Sequence, residues 1–306
     1  MTPSQPGTGA QQRLGAAGVG PRFGVNTFIW RSPFTTASDL DLVGHAASLG
    51  ADVFEVAVEE IDLVDGKPLR EELDRHALGA VVCGAFGPGR DVGSADAAVA
   101  ASTKSYVVGL LDLAVALGAR VVCGPIYGSV GLARRLTPGA RRRELDRTAA
   151  GLRELASEAE SRGVVLALET LNRFETDRLN IVEQGLALCD AVGSDAVGLH
   201  LDTFHMHLEE KDSAAAVRRA GGRLYHFHAC ENDRGVPGTG QVAWAAVLEA
   251  LRETRYSGAI VIESFTPAVE SIAAAVCMWR DVAPDQDSIA RDGLKFLRSA
   301  WAASSA

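Results

Sequence analysis

The chain has 306 residues, 47% of them apolar and 23% charged, with a formal net charge of −9 at pH 7. That is length for a large core in one or two domains, and the composition leaves little room for extended disorder. An acidic chain without a basic face is a poor ligand for phosphate backbones, so no nucleic-acid partner is expected.

The first 21 residues, MTPSQPGTGAQQRLGAAGVGP, are rich in Gly, Pro and Gln and lack the basic-then-apolar order of a signal peptide. They read as a flexible leader, residues 1 to 21, ahead of a single domain over residues 22 to 306. From Phe23 onward, short apolar segments rich in β-branched residues alternate with longer stretches of helical period. The expected strands are residues 23 to 30, 52 to 58, 79 to 86, 120 to 127, 164 to 170, 197 to 203, 224 to 230 and 259 to 265. Segments such as DLDLVGHAASLG, VAASTKSYVVGLLDLAVALG and LDRTAAGLRELASEAESRG lie between them and end in Gly, the usual helix stop.

Eight strand-then-helix units with strands apolar on both faces predict an α/β fold, a closed (β/α)8 TIM barrel. An open doubly wound sheet is the alternative, but FGVNTFIWRSPF carries no GxGxxG after the first strand. The basic run from Arg134 to Arg143 reads as a solvated face of a helix-and-turn stretch. No apolar run reaches the ~18 residues of a spanning helix, so no membrane partner is expected. The five cysteines (Cys83, Cys123, Cys189, Cys230, Cys277) are odd in number and widely spaced, as in a cytoplasmic protein with reduced thiols.

In a parallel barrel the functional groups gather at the C-terminal ends of the strands. Glu169 in LALET, Asp202 in LHLDT, His228 in HFHAC and Glu263 in IVIES all stand where an apolar strand stops. Each acid singly is as well explained by a helix cap or an Arg partner. Three carboxylates at one depth repel one another unless a cation neutralises them, so together with His228 they predict a divalent metal site. An oxygen-rich set with one imidazole suits Mn²⁺, Mg²⁺ or Co²⁺ better than a thiolate site suits zinc. Period two puts His226 on the face of His228 and His200 on the face of Asp202, both deeper and read as structural. The loops NRFET, FHMHLEE and ENDRGVPGTG add polar groups that could reach a polyhydroxylated ligand or simply face solvent.

The motifs LETLNRFET, HLDTFHMHLEE, HFHACENDRGVPGTGQVAW and IVIESF, with GVNTFIW near the start and GPIYG after the fourth strand, resemble the sugar isomerase/epimerase superfamily. This is the group of xylose isomerase-like TIM barrels, and the closest resemblance is to ketose 3-epimerases of the D-tagatose and D-psicose (D-allulose) 3-epimerase type. The resemblance runs from about Phe23 to Trp301. It implies an isomerase with one divalent metal, Mn²⁺ in first place with Co²⁺ or Mg²⁺ as alternatives, held by Glu169, Asp202, His228 and Glu263. It further implies that Glu169 and Glu263 are the acid/base pair for C3 epimerisation of a free ketose. Glu175, His205 and Arg234 would contact the substrate near its carbonyl end, with Trp30 and Phe265 toward its far end. Cys230 stands where the family pattern has Gly or Ser. An aldose-ketose isomerase of the hydroxypyruvate isomerase type, or a metal-dependent sugar or C-glycoside lyase, is the alternative activity on the same fold, and a non-catalytic sugar-binding barrel is a further one. A homo-oligomer, dimer or tetramer, is implied, while Trp279 and Trp301 are expected to finish the last helix rather than to make an interface.

Overall fold

The structure is a computed structural model and describes residues 20–303. Eight strands lie in chain order around a closed ring: β1 (Arg22–Asn26), β2 (Val53–Val58), β3 (Gly79–Gly84), β4 (Val121–Gly124), β5 (Val165–Glu169), β6 (Val197–Asp202), β7 (Leu224–His228) and β8 (Ala259–Ile262). Every pairing is parallel, and β8 closes on β1 through Val25 opposite Ile262. All eight expected strands are present in one domain-sized barrel. Residues 1–19 of the expected leader lie outside the described residues.

Most strands stop short of their expected ends, β1, β4 and β8 by three or four residues. After Asn26 the chain turns into a 3₁₀ helix, Thr27–Ile29, because the Asn26 side chain accepts the Phe28 N–H at 2.8 Å. β8 stops at Ile262, which leaves Glu263 one residue beyond the ladder.

The helices form the outer ring. They include α1 (Asp41–Ser48), α2 (Gly66–Arg75), α3 (Ala97–Leu117), α4 (Pro138–Arg162), α5 (Val182–Val192) and α6 (Thr203–Glu209). They continue with α7 (Ser213–Ala220), α8 (Trp244–Glu253), the single turn α9 (Glu270–Ala273) and α10 (Gln286–Ala303). Asp65, Asp96 and Thr137 cap α2, α3 and α4 by accepting backbone N–H groups. Gly118, Gly163 and Gly193 end α3, α4 and α5 in the left-handed conformation that the sequence pattern anticipates.

Three expectations change. By length and composition α3 is apolar enough to cross a membrane, contrary to the reading of the sequence. Its Val107, Leu110, Leu111, Ala114 and Leu117 are buried in the main apolar core, each large side chain contributing about 1.5–3 kcal/mol. Lys104 and Asp112 pair with Glu154 and Arg162 of α4, so α3 is a barrel helix. Within the basic run, Arg134 and Arg141 both pair with Glu144 and Asp177 rather than forming a merely solvated face. Trp301 does pack on the core from α10, with the Arg252 guanidinium 4.3 Å above its ring, but Trp279 precedes that helix and is 75% exposed.

Gly124 ends β4 with φ +122°, and a Cβ there would lie 2.6 Å from the Gly84 carbonyl oxygen of the paired strand. Gly124→Ala is therefore expected to cost more than about 1 kcal/mol and to lower the thermal midpoint, at ~2–4 °C per kcal/mol for a domain of this size. Circular dichroism melting checks this, and an unchanged midpoint would show that β3 and β4 separate without cost.

Candidate metal centre and active site

The ladder registers carry the strand-end residues to one place. Asp202 sits opposite His228, and His200 opposite His226, across β6 and β7. Glu169 ends β5 opposite His200, and Glu263 follows β8. Glu169, Asp202, His228 and Glu263 each offer a ligand atom, and these atoms lie within 4.8 Å of one another. All four side chains are buried. His228 Nδ1 stands 3.6 Å from Glu263 Oε2 and 4.0 Å from Glu169 Oε1, has no hydrogen-bond partner, and is out of solvent. A buried imidazole nitrogen facing three carboxylates without a hydrogen bond fits a divalent cation as a donor set.

The electrostatics express the crowding. Burial, and then the charge of Glu263, raise the Glu169 carboxyl well above the usual carboxylate range. Burial also raises Asp202, against the pull of Arg234. Burial opposes ionisation of Glu263, yet His228 holds it below its ordinary value. His228 is itself raised well above the imidazole range, because Glu55 and Glu263 outweigh its burial. Arg234 supplies compensating charge: its Nη1 donates to Asp202 Oδ2 at 2.9 Å and to Glu263 Oε2 at 2.8 Å. Its guanidinium lies over the rings of Phe204 and Phe265, at 4.1 and 4.9 Å. A cation at the cluster would share these carboxylate oxygens with the guanidinium, which their lone pairs permit.

Beneath the cluster lies a residue that the sequence reading passed over. Glu55, in the middle of β2, is fully buried and accepts from Asn26 Nδ2 at 2.6 Å. Its Oε1 meets His228 Nε2 at 2.7 Å and its Oε2 lies 2.6 Å from His226 Nε2. The His226 contact is close but lacks the direction of a hydrogen bond. Burial would raise Glu55, but His228 and His226 hold it far below the usual carboxylate range. With Nε2 committed to Glu55, the ring presents Nδ1 to the mouth. The signal in the sequence was an acid interrupting VFEVAV, on the inward face set by period two.

A cavity of about 640 Å³ opens above the cluster, within the ~300–1,000 Å³ common for small-ligand sites. Glu169, Glu175, His205, Arg234, Glu263 and Phe265 all line it. His205 is oriented by a second unforeseen residue: the Asn172 backbone N–H donates to its Nδ1 at 3.1 Å, so the ring proton sits on Nε2, toward the acids. Burial keeps this imidazole neutral, and Asn172 Nδ2 also donates to Glu175 at 2.7 Å. Burial raises the Glu175 carboxyl.

Trp30 must be corrected. It does not line the cavity: its indole N–H donates to Asp287 at 2.8 Å and its ring packs edge-on against His45. The 3₁₀ turn rotates it into the core between α1 and α10, and Phe28 takes the place at the mouth, 5.4 Å from the Phe265 ring.

Residues 43–300 match the family model for the xylose isomerase-like TIM barrel. The chain belongs to that family. It groups there with the ketose 3-epimerases, enzymes of the isomerase class. A probable ketose 3-epimerase of Synechocystis sp. is 32% identical over 92% of this chain and 96% of its own. An L-ribulose 3-epimerase of Mesorhizobium japonicum is 34% identical over 90% of this chain and 93% of its own. The crystal structure of a D-allulose 3-epimerase from Methylomonas sp., in complex with D-allulose, superposes with a TM-score of 0.85 at 31% identity, covering 91% of this chain and 96% of that one.

Glu55→Gln should lower Mn²⁺ affinity by roughly 10–100-fold with the fold retained, because His228 loses the charged partner that orients it. Calorimetric titration of the metal-free protein measures this. Unchanged affinity would mean that packing alone orients the ring.

Proposed function

We propose that this ketose 3-epimerase homologue epimerises free ketoses at C3, of the D-fructose/D-psicose or D-tagatose/D-sorbose kind, with one divalent metal, Mn²⁺ in first place. The observation that carries the reading is that Glu169 and Glu263 lie on separated strand ends, flank Asp202 and His228, and line one cavity. Epimerisation removes a weakly acidic C–H proton beside a ketone and returns a proton to the other face. That needs two carboxyl groups able to exchange roles. When bound by Glu169, Asp202, His228 and Glu263, the cation supplies Lewis-acid polarisation of the ketone.

The chain's own groups account for the rest. One glutamate takes the C3 proton, the C–H electron pair moves into the C2 carbonyl, and the other glutamate delivers a proton to the opposite face of C3. Which glutamate acts first depends on the epimer bound. Arg234 donates to oxygen near the carbonyl end and balances the developing negative charge, and His205 contributes its Nε2–H there. Glu175 accepts from a substrate hydroxyl, and the rings of Phe28 and Phe265 help to exclude water. The cysteines, all five free of disulfides, support a reducing cytoplasmic setting. The oligomer expected is a dimer or tetramer.

Glu169→Gln and Glu263→Gln are each expected to lower turnover by ~10²–10⁴-fold or more, with melting temperatures close to the parent when both are compared metal-free. The measurement is deuterium incorporation at C3 in D₂O, followed by NMR over a panel of ketoses. Near-normal turnover in Glu263→Gln would overturn the assignment, and exchange confined to C1 would make the chain an aldose-ketose isomerase. Chelation should abolish exchange and lower the melting temperature, and Mn²⁺ at 100 times its Kd should restore about 2.7 kcal/mol of stability. Full activity after exhaustive chelation would sink the metal requirement.

A further inference from the structure

Glu59 follows the last residue of β2 and lines the same cavity as Glu169 and Glu263. In a ring of eight strands β2 stands across from β6, so Glu59 enters the cavity from a different side of the mouth than Glu169 and Asp202. One of its oxygens is occupied, since Ser32 Oγ donates to Oε1 at 2.8 Å. The other, Oε2, is out of solvent and has no hydrogen-bond partner. A buried carboxylate oxygen left without a donor is costly, so the atom is set for a donor brought by a ligand.

The neighbouring cation is not free to provide that donor. Arg90 lies 3.9 Å over the Tyr106 ring and donates to the Ala85 carbonyl and to Glu60. The same cavity wall carries Phe28, Phe86, Ile272 and Val276 as well as Glu60 and Arg90. An acceptor oxygen left without a donor, as Glu59 Oε2 is, recognises a hydroxyl. Two acids side by side, Glu59 and Glu60, outnumber the one cation beside them, Arg90, and disfavour a phosphate at the same place.

We propose that Glu59 accepts the terminal hydroxyl of the ketose, remote from the carbonyl, and thereby selects free sugars over 6-deoxy and 6-phosphorylated ones. The inference rests on the proposed function for which end of the sugar faces the acids of β5 to β8. Burial also raises the Glu59 carboxyl, consistent with an oxygen kept from water and awaiting a partner.

The test is calorimetric binding of D-psicose, 6-deoxy-D-psicose and D-psicose 6-phosphate to the Mn²⁺-loaded protein and to its Glu59→Ala and Glu59→Gln variants. The parent should prefer D-psicose over the 6-deoxy sugar by roughly tenfold or more, because a site built to bond a hydroxyl rejects the analogue that lacks it. Glu59→Ala should lose that preference, and Glu59→Gln, which keeps an acceptor, should retain part of it and narrow the gap to the phosphate. In steady state Glu59→Ala should raise KM for D-psicose more than it lowers kcat. Equal binding of the two sugars by the parent, binding of neither, or an unchanged ratio in Glu59→Ala would overturn the proposal. Exchange at C3 is scored in the same samples: selective binding without exchange would overturn the epimerase reading while leaving the hydroxyl contact supported.

Discussion

Glu169, Asp202 and Glu263 crowd their oxygens within 4.8 Å of one another around a single imidazole, in a mouth where all of them are buried. Like charges at that spacing cannot all persist without compensation, and much of the surrounding architecture provides it. Arg234 reaches in from the loop after β7 and bridges two of the acids, from a left-handed backbone conformation with φ +65°. An arginine accepts that conformation at a cost of order 1–3 kcal/mol, which the surrounding contacts must offset. Asp202 does double duty, accepting the Phe204 N–H at 2.7 Å as the N-cap of α6.

The loops that present these groups are themselves held by buried ions. Glu231 opens ENDRGVPGTG and accepts from the Gly238 and Val242 backbone and from the Trp244 indole, so the loop closes around its carboxylate. Those bonds hold Glu231 below its ordinary range despite burial. Arg178 ties together Asp91, Glu144 and the Tyr127 carbonyl, joining the connections after β3, β4 and β5. Removing one partner from such a network strands a charge, so these bonds tie the loops to one another and to the barrel.

The architecture and the donor set were legible because each rests on a local signal. Strands β1 to β8 announce themselves as short β-branched runs, and an acid or histidine at the end of such a run stands out against apolar neighbours. Trp30 was misplaced because a capping bond from Asn26 ended the strand early and turned the ring inward. Glu55 escaped notice because one acid in a strand carries no sign of its partners, which are 171 and 173 residues away as His226 and His228. Phe28 and Glu59 line the cavity through the geometry of the mouth, which no spacing rule encodes.

By itself, then, the sequence determined the eightfold alternation of strand and helix, the polar residues at the ends of β5 to β7 and just past β8, and the family they resemble. Those are properties of nearest neighbours and of periods two and 3.6. Only the closed barrel decided which nitrogen of His228 faces the acids, which charge Arg234 balances, and which aromatic ring meets the cavity. Each of these is set by a contact between segments far apart in the chain, and such contacts exist only once β8 has closed on β1.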